Sequence, residues 1–333
     1  MEKQDLNEFR QDLISGDWVL FATERAKRPY RKQNNEDAGY ASKDTCLFEN
    51  PMSSGNEPVW FFPGEKDWRI AVVKNKFPSV KPGVCGPEGS FGPFKVHPAV
   101  GNHDLFIYRD HDRHLADFSL EEMAEVIRAY KKRYKEIAHI GNCVRYVLIF
   151  HNFGRDGGAS IYHPHSQIMS LPILPPDVSR SVRCSYNFFK EHGKSVYDQM
   201  VNWEMESGAR IVYKNDKFVA FCPFVSRNPY EVRIFMKSGQ PHFEELSDDF
   251  DNELADVLLV SLKKIKKALD NPSFNMFIHT APVESSHSHD YYSWHIEILP
   301  RFSKLGGFEL GTDVEMNAVD PDEAAKLLRE TNL

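Results

Sequence analysis

The sequence is poor in cysteine, contains no long apolar run and carries no excess of positive charge, and each absence removes a class of protein. Its five cysteines, Cys46, Cys85, Cys143, Cys184 and Cys222, are odd in number, scattered, and include no Cys-x-x-Cys pair. That pattern argues against a disulfide framework and for reduced thiols. No stretch approaches the roughly 18 apolar residues of a membrane span. The opening MEKQDLNEFRQD lacks the apolar centre of a signal peptide, so a cytoplasmic protein without a membrane partner is expected. Lys and Arg total 41 against 48 Asp and Glu, a net charge of -7, so no global positive field exists to hold a nucleic-acid backbone. Any phosphate ligand must be caught locally. What is present, 41% hydrophobic and 27% charged residues over 333 positions, is an ordinary globular balance with length for two packed units.

Two stretches share one order of signals. The first runs from Trp68-Arg-Ile-Ala-Val-Val73 through His103-Asp-Leu-Phe-Ile-Tyr108, HLADFS, a helix and Val144-Arg-Tyr-Val-Leu-Ile-Phe150 to a His-rich segment. The second runs from Phe218-Val-Ala-Phe221 through Tyr230-Glu-Val-Arg-Ile-Phe235, HFEELS, a helix and Phe274-Asn-Met-Phe-Ile278 to His295. His114 lies 128 residues before His242, and His165 lies 130 before His295, so the register is held over the whole repeat. Met123, Val126, Ile127, Tyr130, Tyr134 and Ile137 recur at helical spacing, and Ser119 with Glu122 forms a capping box. Leu254, Val257, Leu258, Leu262, Ile265 and Leu269 form the matching stripe, with the lysines of KKIKK expected on the solvent side. Strands flanking a long helix with hairpin-like connections predict an α+β unit, an antiparallel sheet carrying helices, written twice. Lys81 to Pro98 reads as an insertion loop and Leu171-Pro-Ile-Leu-Pro-Pro176 as the bridge.

The densest chemistry lies in Gly154-Arg-Asp-Gly-Gly-Ala-Ser160, followed by Ile-Tyr-His163-Pro-His165-Ser-Gln167-Ile. Glycines let backbone N–H groups approach a phosphate, and histidines at i and i+2 project from one face of an extended segment. A neutral imidazole can attack a phosphoryl group and hold it covalently, splitting one difficult transfer into two easier ones.

The segment GGASIYHPHSQI resembles the active-site segment of the galactose-1-phosphate uridylyltransferase family in the histidine-triad superfamily, and the resemblance covers nearly the whole chain. Arg10-Gln-Asp12, Gly16-Asp-Trp18-Val-Leu20, Glu24-Arg25-Ala-Lys27-Arg28-Pro29 and Val73-Lys-Asn75-Lys-Phe77-Pro78 are similar to further family segments. The resemblance implies two tandem histidine-triad-like halves, residues 1–172 with the nucleophile and 173–333, together with a homodimer. It also implies ping-pong transfer of a nucleoside monophosphate between a nucleotide sugar and a hexose 1-phosphate through a nucleotidyl-histidine. It assigns His165 as nucleophile and Gln167 as an amide donor to the phosphate. Asn75, Asn152, Gly158 and Ser160 would hold nucleoside, ribose and phosphate, Arg25 and Arg28 would supply charge-assisted contacts, and Glu309 in Gly306-Gly-Phe308-Glu309 would accept sugar hydroxyls. Ser166 stands where the family commonly has Gly.

The family's structural zinc falls on Cys46, Glu49, His111 and His163, with Glu49 in place of a second cysteine. A carboxylate can complete a tetrahedral zinc site but is harder than thiolate. A second metal position falls on His279, His295 and Glu297, while His287 and His289 read as solvent loop. The SLPILPP and GGFELGT stretches also resemble ADP-glucose phosphorylase, which implies adenylyl transfer to inorganic phosphate as the alternative. A non-catalytic nucleotide-binding protein and a nucleotide hydrolase are the remaining readings. The intact His165, Gln167 and Ser160 oppose the first, and Ser166-Gln167 in place of a further histidine opposes the second.

Overall fold

The computed structural model describes residues 6–27, 42–52, 55–140, 143–283, 288–302 and 306–333. The chain begins with β1 (Asn7–Gln11), β2 (Trp18–Ala22), β3 (Pro58–Phe62), β4 (Ile70–Lys74) and the exposed hairpin β5 (Gly89–Phe91) and β6 (Phe94–Val96). It continues through β7 (His103–Tyr108), α1 (Leu120–Ala138), β8 (Tyr146–Phe153) and β9 (His165–Leu171). Then come α2 (Pro176–His192), α3 (Val196–Ser207), β10 (Ile211–Lys214), β11 (Phe218–Phe221), β12 (Val232–Met236) and α4 (Asp251–Ala268). The described chain closes with β13 (Phe274–His279), β14 (His295–Pro300), α5 (Gly307–Thr312), β15 (Glu315–Asn317) and α6 (Pro321–Glu330).

Among the described residues, ten strands form one antiparallel sheet in the order β10-β11-β12-β14-β13-β8-β9-β7-β4-β3. Its N-terminal block β3-β4-β7-β9-β8 and its C-terminal block β10-β11-β12-β14-β13 run in the same order, each with a long helix between its third and last-formed pair of strands. They meet where β8 pairs with β13, Phe274 opposite Phe153 through Ile278 opposite Ile149. A second sheet joins the ends of the chain, since β2 pairs antiparallel with β1 and parallel with β15.

Side-chain alternation distributes the core over both faces of the sheet. Ile70, Val72, Phe106, Tyr108 and Ile168 pack with the stripe Met123, Val126, Ile127, Tyr130, Tyr134 and Ile137 of α1 and with the α4 stripe on one face. The Ser119 capping box is formed, its hydroxyl accepting from Glu122 N–H at 3.2 Å while Glu122 accepts from Ser119 N–H at 2.7 Å. On the other face Cys46, Phe48 and Trp68 cover Ala71, Val73, Leu105 and Ile107.

Three expectations are corrected. Lys264 of the KKIKK run is buried, its ammonium donating to the carbonyls of Leu328, Arg329 and Thr331 at 2.8–3.1 Å, so it caps the end of α6. Cys85 and Cys143 are joined as a disulfide with Cα atoms 5.6 Å apart, whereas Cys46, Cys184 and Cys222 are free; the partners stand 58 residues apart, so no local spacing announced the pair. His289 is buried beside the rings of His242 and Tyr291 instead of lying in solvent, and His287 lies outside the described residues.

Candidate active site

Strand β9 presents alternate residues to opposite sides. His165 and Gln167 face the side covered by the Cys46 loop, while Ser166 and Ile168 point at α1. Glycines make the approach to this strand tight. A Cβ on Gly157 would lie 2.3 Å from the Phe153 carbonyl oxygen and 2.7 Å from that of Phe274, and Gly158 has φ of +79°, where a side chain is strained.

His165 Nδ1–H donates to the His163 carbonyl at 2.9 Å, which leaves Nε2 unprotonated with its lone pair. Burial pushes the His165 pKa down, opposed by that backbone hydrogen bond. The imidazole is therefore neutral near pH 7, the form a nucleophile requires. The Phe48 ring stands edge-on to His165 at a centroid distance of 5.1 Å and restricts its swing.

Beneath the site, Ser166 is fully buried in a set of hydroxyls: its Oγ lies 2.7 Å from Tyr108 Oη, 2.6 Å from Tyr130 Oη and 3.0 Å from His151 Nδ1. Beside it, Gln167 Oε1 is 2.9 Å from His103 Nε2. Asn75 Oδ1 accepts from Phe77 N–H at 2.9 Å, and its Nδ2 lies 3.2 Å from the same histidine nitrogen. Asn152 Oδ1 accepts from Asn275 Nδ2 at 2.8 Å, and Asn275 Nδ2 also donates to the Gly157 carbonyl at 2.6 Å.

The structure thus brings together Gln167 and Asn75 through His103, with His165 two residues before Gln167 on β9, and Asn152 with the Gly157 turn through Asn275. Gly158 and Ser160 are exposed at the end of that turn. Arg25 is partly buried on a short helix from Thr23 to Lys27, and Arg28 lies outside the described residues. Glu309 sits on α5, where its carboxylate accepts from Gly306 N–H at 2.9 Å. Sequence reasoning missed His103 and Asn275. Strand alternation held a signal for His103, since it shares a face with Leu105, the residue opposite Gln167.

Among the described residues, two groups of side chains have the spacing to hold a metal ion. In the first, the ligand atoms of Cys46, His111 and His163 lie within 4.8 Å of one another. Glu49 Oε1 approaches His111 Nδ1 at 3.2 Å and His163 Nδ1 at 3.5 Å, and is buried without a hydrogen-bond partner. His163 Nε2–H donates to the Tyr108 carbonyl at 2.6 Å, leaving Nδ1 bare, and burial pushes its pKa down to about 4. The two Nδ1 atoms stand 3.2 Å apart, close to the ~3.3 Å between two nitrogens on a tetrahedral zinc with bonds of about 2.0 Å. This donor set fits the ion.

The second group, His279, His295 and Glu297, lies on β13 and β14. Glu297 Oε1 is 3.5 Å from His295 Nε2, and Oε2 is 3.9 Å from His279 Nε2. Both oxygens are also paired, with Arg227 at 2.5 Å and Arg233 at 3.1 Å. Against the burial that would raise it, these guanidinium groups hold Glu297 well below the usual carboxylate range. The spacing permits a metal, but two cations beside the carboxylate, the half-buried Arg227 and the buried Arg233, oppose a divalent ion.

A model of the galactose-1-phosphate uridyl transferase N-terminal domain matches residues 1–175, and a domain of unknown function, DUF4921, matches residues 100–331. The chain belongs to the galactose-1-phosphate uridyl transferase family. An ADP-glucose phosphorylase of Arabidopsis thaliana is 32% identical, aligned over 98% of this chain and 93% of that protein. A galactose-1-phosphate uridylyltransferase of Thermotoga maritima is 29% identical, over 98% and 99%. Among solved structures, an Arabidopsis thaliana ADP-glucose phosphorylase with bound ADP-glucose superposes with a TM-score of 0.83 at 29% identity, covering 98% of this chain and 99% of that one. These relatives are enzymes of nucleotidyl transfer, and membership in the family makes this chain a nucleotidyltransferase. Among the described residues no helix is long and apolar enough to cross a membrane.

Proposed function

We propose that the protein transfers a nucleoside monophosphate from a nucleotide sugar to a hexose 1-phosphate through a nucleotidyl-histidine on His165, with uridylyl transfer as the reference reaction. The observation that carries this reading is the His165 tautomer, with Nδ1–H tied to the His163 carbonyl at 2.9 Å and Nε2 free to attack. Nε2 bonds to the α-phosphorus while the bond to the sugar 1-phosphate oxygen breaks and that oxygen keeps the electron pair. An acceptor phosphate oxygen then attacks the same phosphorus and Nε2 recovers its pair. The side-chain amide of Gln167 steadies the non-bridging oxygens as charge moves. Asn152, Gly158 and Ser160 grip phosphate and ribose, Asn75 faces the nucleoside, Arg25 and Arg28 neutralise the phosphates, and Glu309 accepts sugar hydroxyls.

Adenylyl transfer to inorganic phosphate is the second reading, and the 32% identity to an ADP-glucose phosphorylase is the observation behind it. Exposure to α-labelled UDP-glucose and ADP-glucose separately, followed by a chase with hexose 1-phosphate or inorganic phosphate, tests both. Covalent label from UDP-glucose released by hexose 1-phosphate supports the first, and label from ADP-glucose released by inorganic phosphate supports the second. No label from either ends both.

Cys46, Glu49, His111 and His163 would hold a zinc ion whose four protein ligands leave no open position, so it supplies rigidity and no chemistry. Residues 1–172 and 173–333 are read as histidine-triad-like halves of one duplication, supported by the matching strand orders, with the His279, His295 and Glu297 group serving as scaffold. A cytoplasmic homodimer completes the reading.

A further inference from the structure

We propose that His103 is a positioning residue for nucleotidyl transfer: it sets the direction of the Gln167 side-chain amide, so that NH2 and not C=O faces the reacting phosphate. The inference rests on the nucleotidyl-histidine reading and deepens it.

The chain of constraint begins at a backbone group whose polarity is fixed. Ser79 N–H donates to His103 Nδ1 at 3.1 Å, so Nδ1 bears a lone pair and the neutral ring must carry its proton on Nε2. Among the described residues, two side chains reach that nitrogen. Asn75 offers Nδ2 at 3.2 Å, but its Oδ1 is held by Phe77 N–H, so this contact sets one donor against another. The proton on Nε2 therefore goes to the other neighbour, Gln167, at 2.9 Å, and the atom that receives it must be the carbonyl oxygen. The amide is then oriented with its NH2 turned away from His103. Gln167 stands two residues from His165 on the same face of β9, so that NH2 is directed along the face from which the nucleophile acts. His103 is itself buried and sits at the first position of β7, so a rigid strand and a loop amide hold the ring. An amide free to rotate would spend part of its time presenting oxygen to phosphate, which repels it; a preorganised donor avoids that loss.

The test uses the full chain and four variants, His103→Leu, His103→Gln, Gln167→Ala and the double variant His103→Leu with Gln167→Ala. Leu removes the ring donor, whereas Gln places an amide N–H near the position of Nε2. Expected are a fall in kcat of roughly 10- to 100-fold for His103→Leu with KM changed by less than about threefold, and recovery to within about fivefold of the parent in His103→Gln. In the Gln167→Ala background, His103→Leu should have no further effect on kcat, because its whole influence passes through the missing amide. Equal losses in both backgrounds would overturn the proposal and make His103 merely structural. Independently of turnover, nitrogen-15 NMR of the His103 ring should show a proton on Nε2 and none on Nδ1, and the Gln167 amide signals should move in His103→Leu. A proton on Nδ1 at neutral pH, or unmoved amide signals, would overturn it equally. If the parent protein takes no label from either nucleotide sugar, the nucleotidyl-histidine reading falls while the NMR result still decides whether His103 orients Gln167.

Discussion

Asn152 on β8 and Asn275 on β13 face one another across the join between the two strand blocks, the second donating to the first at 2.8 Å and also to the Gly157 carbonyl at 2.6 Å. One amide from the C-terminal block thereby clamps both a candidate ribose ligand and the glycine turn that leads to Ser160. Asn275→Ala should raise KM for the nucleotide sugar by about tenfold, the worth of one well-placed hydrogen bond, with a smaller change in kcat. Steady-state kinetics with both parameters resolved checks this, and an unchanged KM would detach Asn275 from binding.

Removal of the nucleophile is expected to delete the covalent step alone. His165→Gly should lower kcat/KM by about 1,000-fold or more, while nucleotide binding measured by calorimetry and the melting temperature stay close to those of the parent. Near-normal transfer by this variant would sink the nucleotidyl-histidine mechanism.

Zinc is expected at about one ion per chain, held by Cys46, Glu49, His111 and His163, when protein purified without added metal is analysed for elements. Arg227 and Arg233 beside Glu297 should keep the second position free of metal. Chelation should lower the melting temperature before it slows transfer, because the ion ties the Cys46 loop to the strand carrying His165. Glu49→Cys should tighten zinc, since thiolate is the softer donor. Full activity with well under one zinc per chain would show that the four residues stand without the ion.

The buried hydroxyl of Ser166 serves three partners, Tyr108, Tyr130 and His151. Ser166→Ala removes their shared partner and should cost about 1–3 kcal/mol in denaturant unfolding. A loss below about 0.5 kcal/mol would mean that the tyrosines satisfy each other without it.

Glu244 links stability to pH. Burial pushes its pKa up to about 7, and its Oε2 has no hydrogen-bond partner. Between the ordinary carboxylate value near 4.5 and 7, the folded chain holds a proton that the unfolded chain has lost. This contribution is therefore full below pH 4.5 and is lost as pH rises through 7, by up to ~1.4 kcal/mol per pH unit. Glu244→Gln should abolish that slope in unfolding measured between pH 4.5 and 7.5. An unaltered slope would assign it to another group.

Much of this was legible locally. The strands His103–Tyr108 and Phe218–Phe221 have the bounds their apolar runs suggested, and the Ser119 capping box and both helix stripes needed only spacing. His163, Cys46, Glu49 and His111 were found together because family likeness supplied long-range information that spacing does not. What escaped was contact between distant segments: Cys85 with Cys143, Lys264 with the end of α6, Asn275 with Asn152. His103 read as an ordinary first residue of a strand, because nothing in its neighbours in sequence reveals a ring aimed at a glutamine 64 positions away. Lys264 was misplaced for a similar reason. A lysine on a polar helix face is usually solvated, unless another helix ends with bare carbonyls within its reach.

The pairing of β8 with β13 also governs how the chain can be cut or evolve. β8 is eight residues long, and stripped of its neighbour it would become a bare edge, a template for pairing with another molecule. The C-terminal block, though it lacks the His-Pro-His sequence, therefore acts as a stopper on that edge. Lys131 reinforces it from α1, its ammonium donating to the Leu246 carbonyl at 3.1 Å and to Asp248 at 2.6 Å. Loss of catalytic residues from that block leaves it indispensable: a truncated chain would retain every atom of the nucleophile and aggregate through the strand next to it.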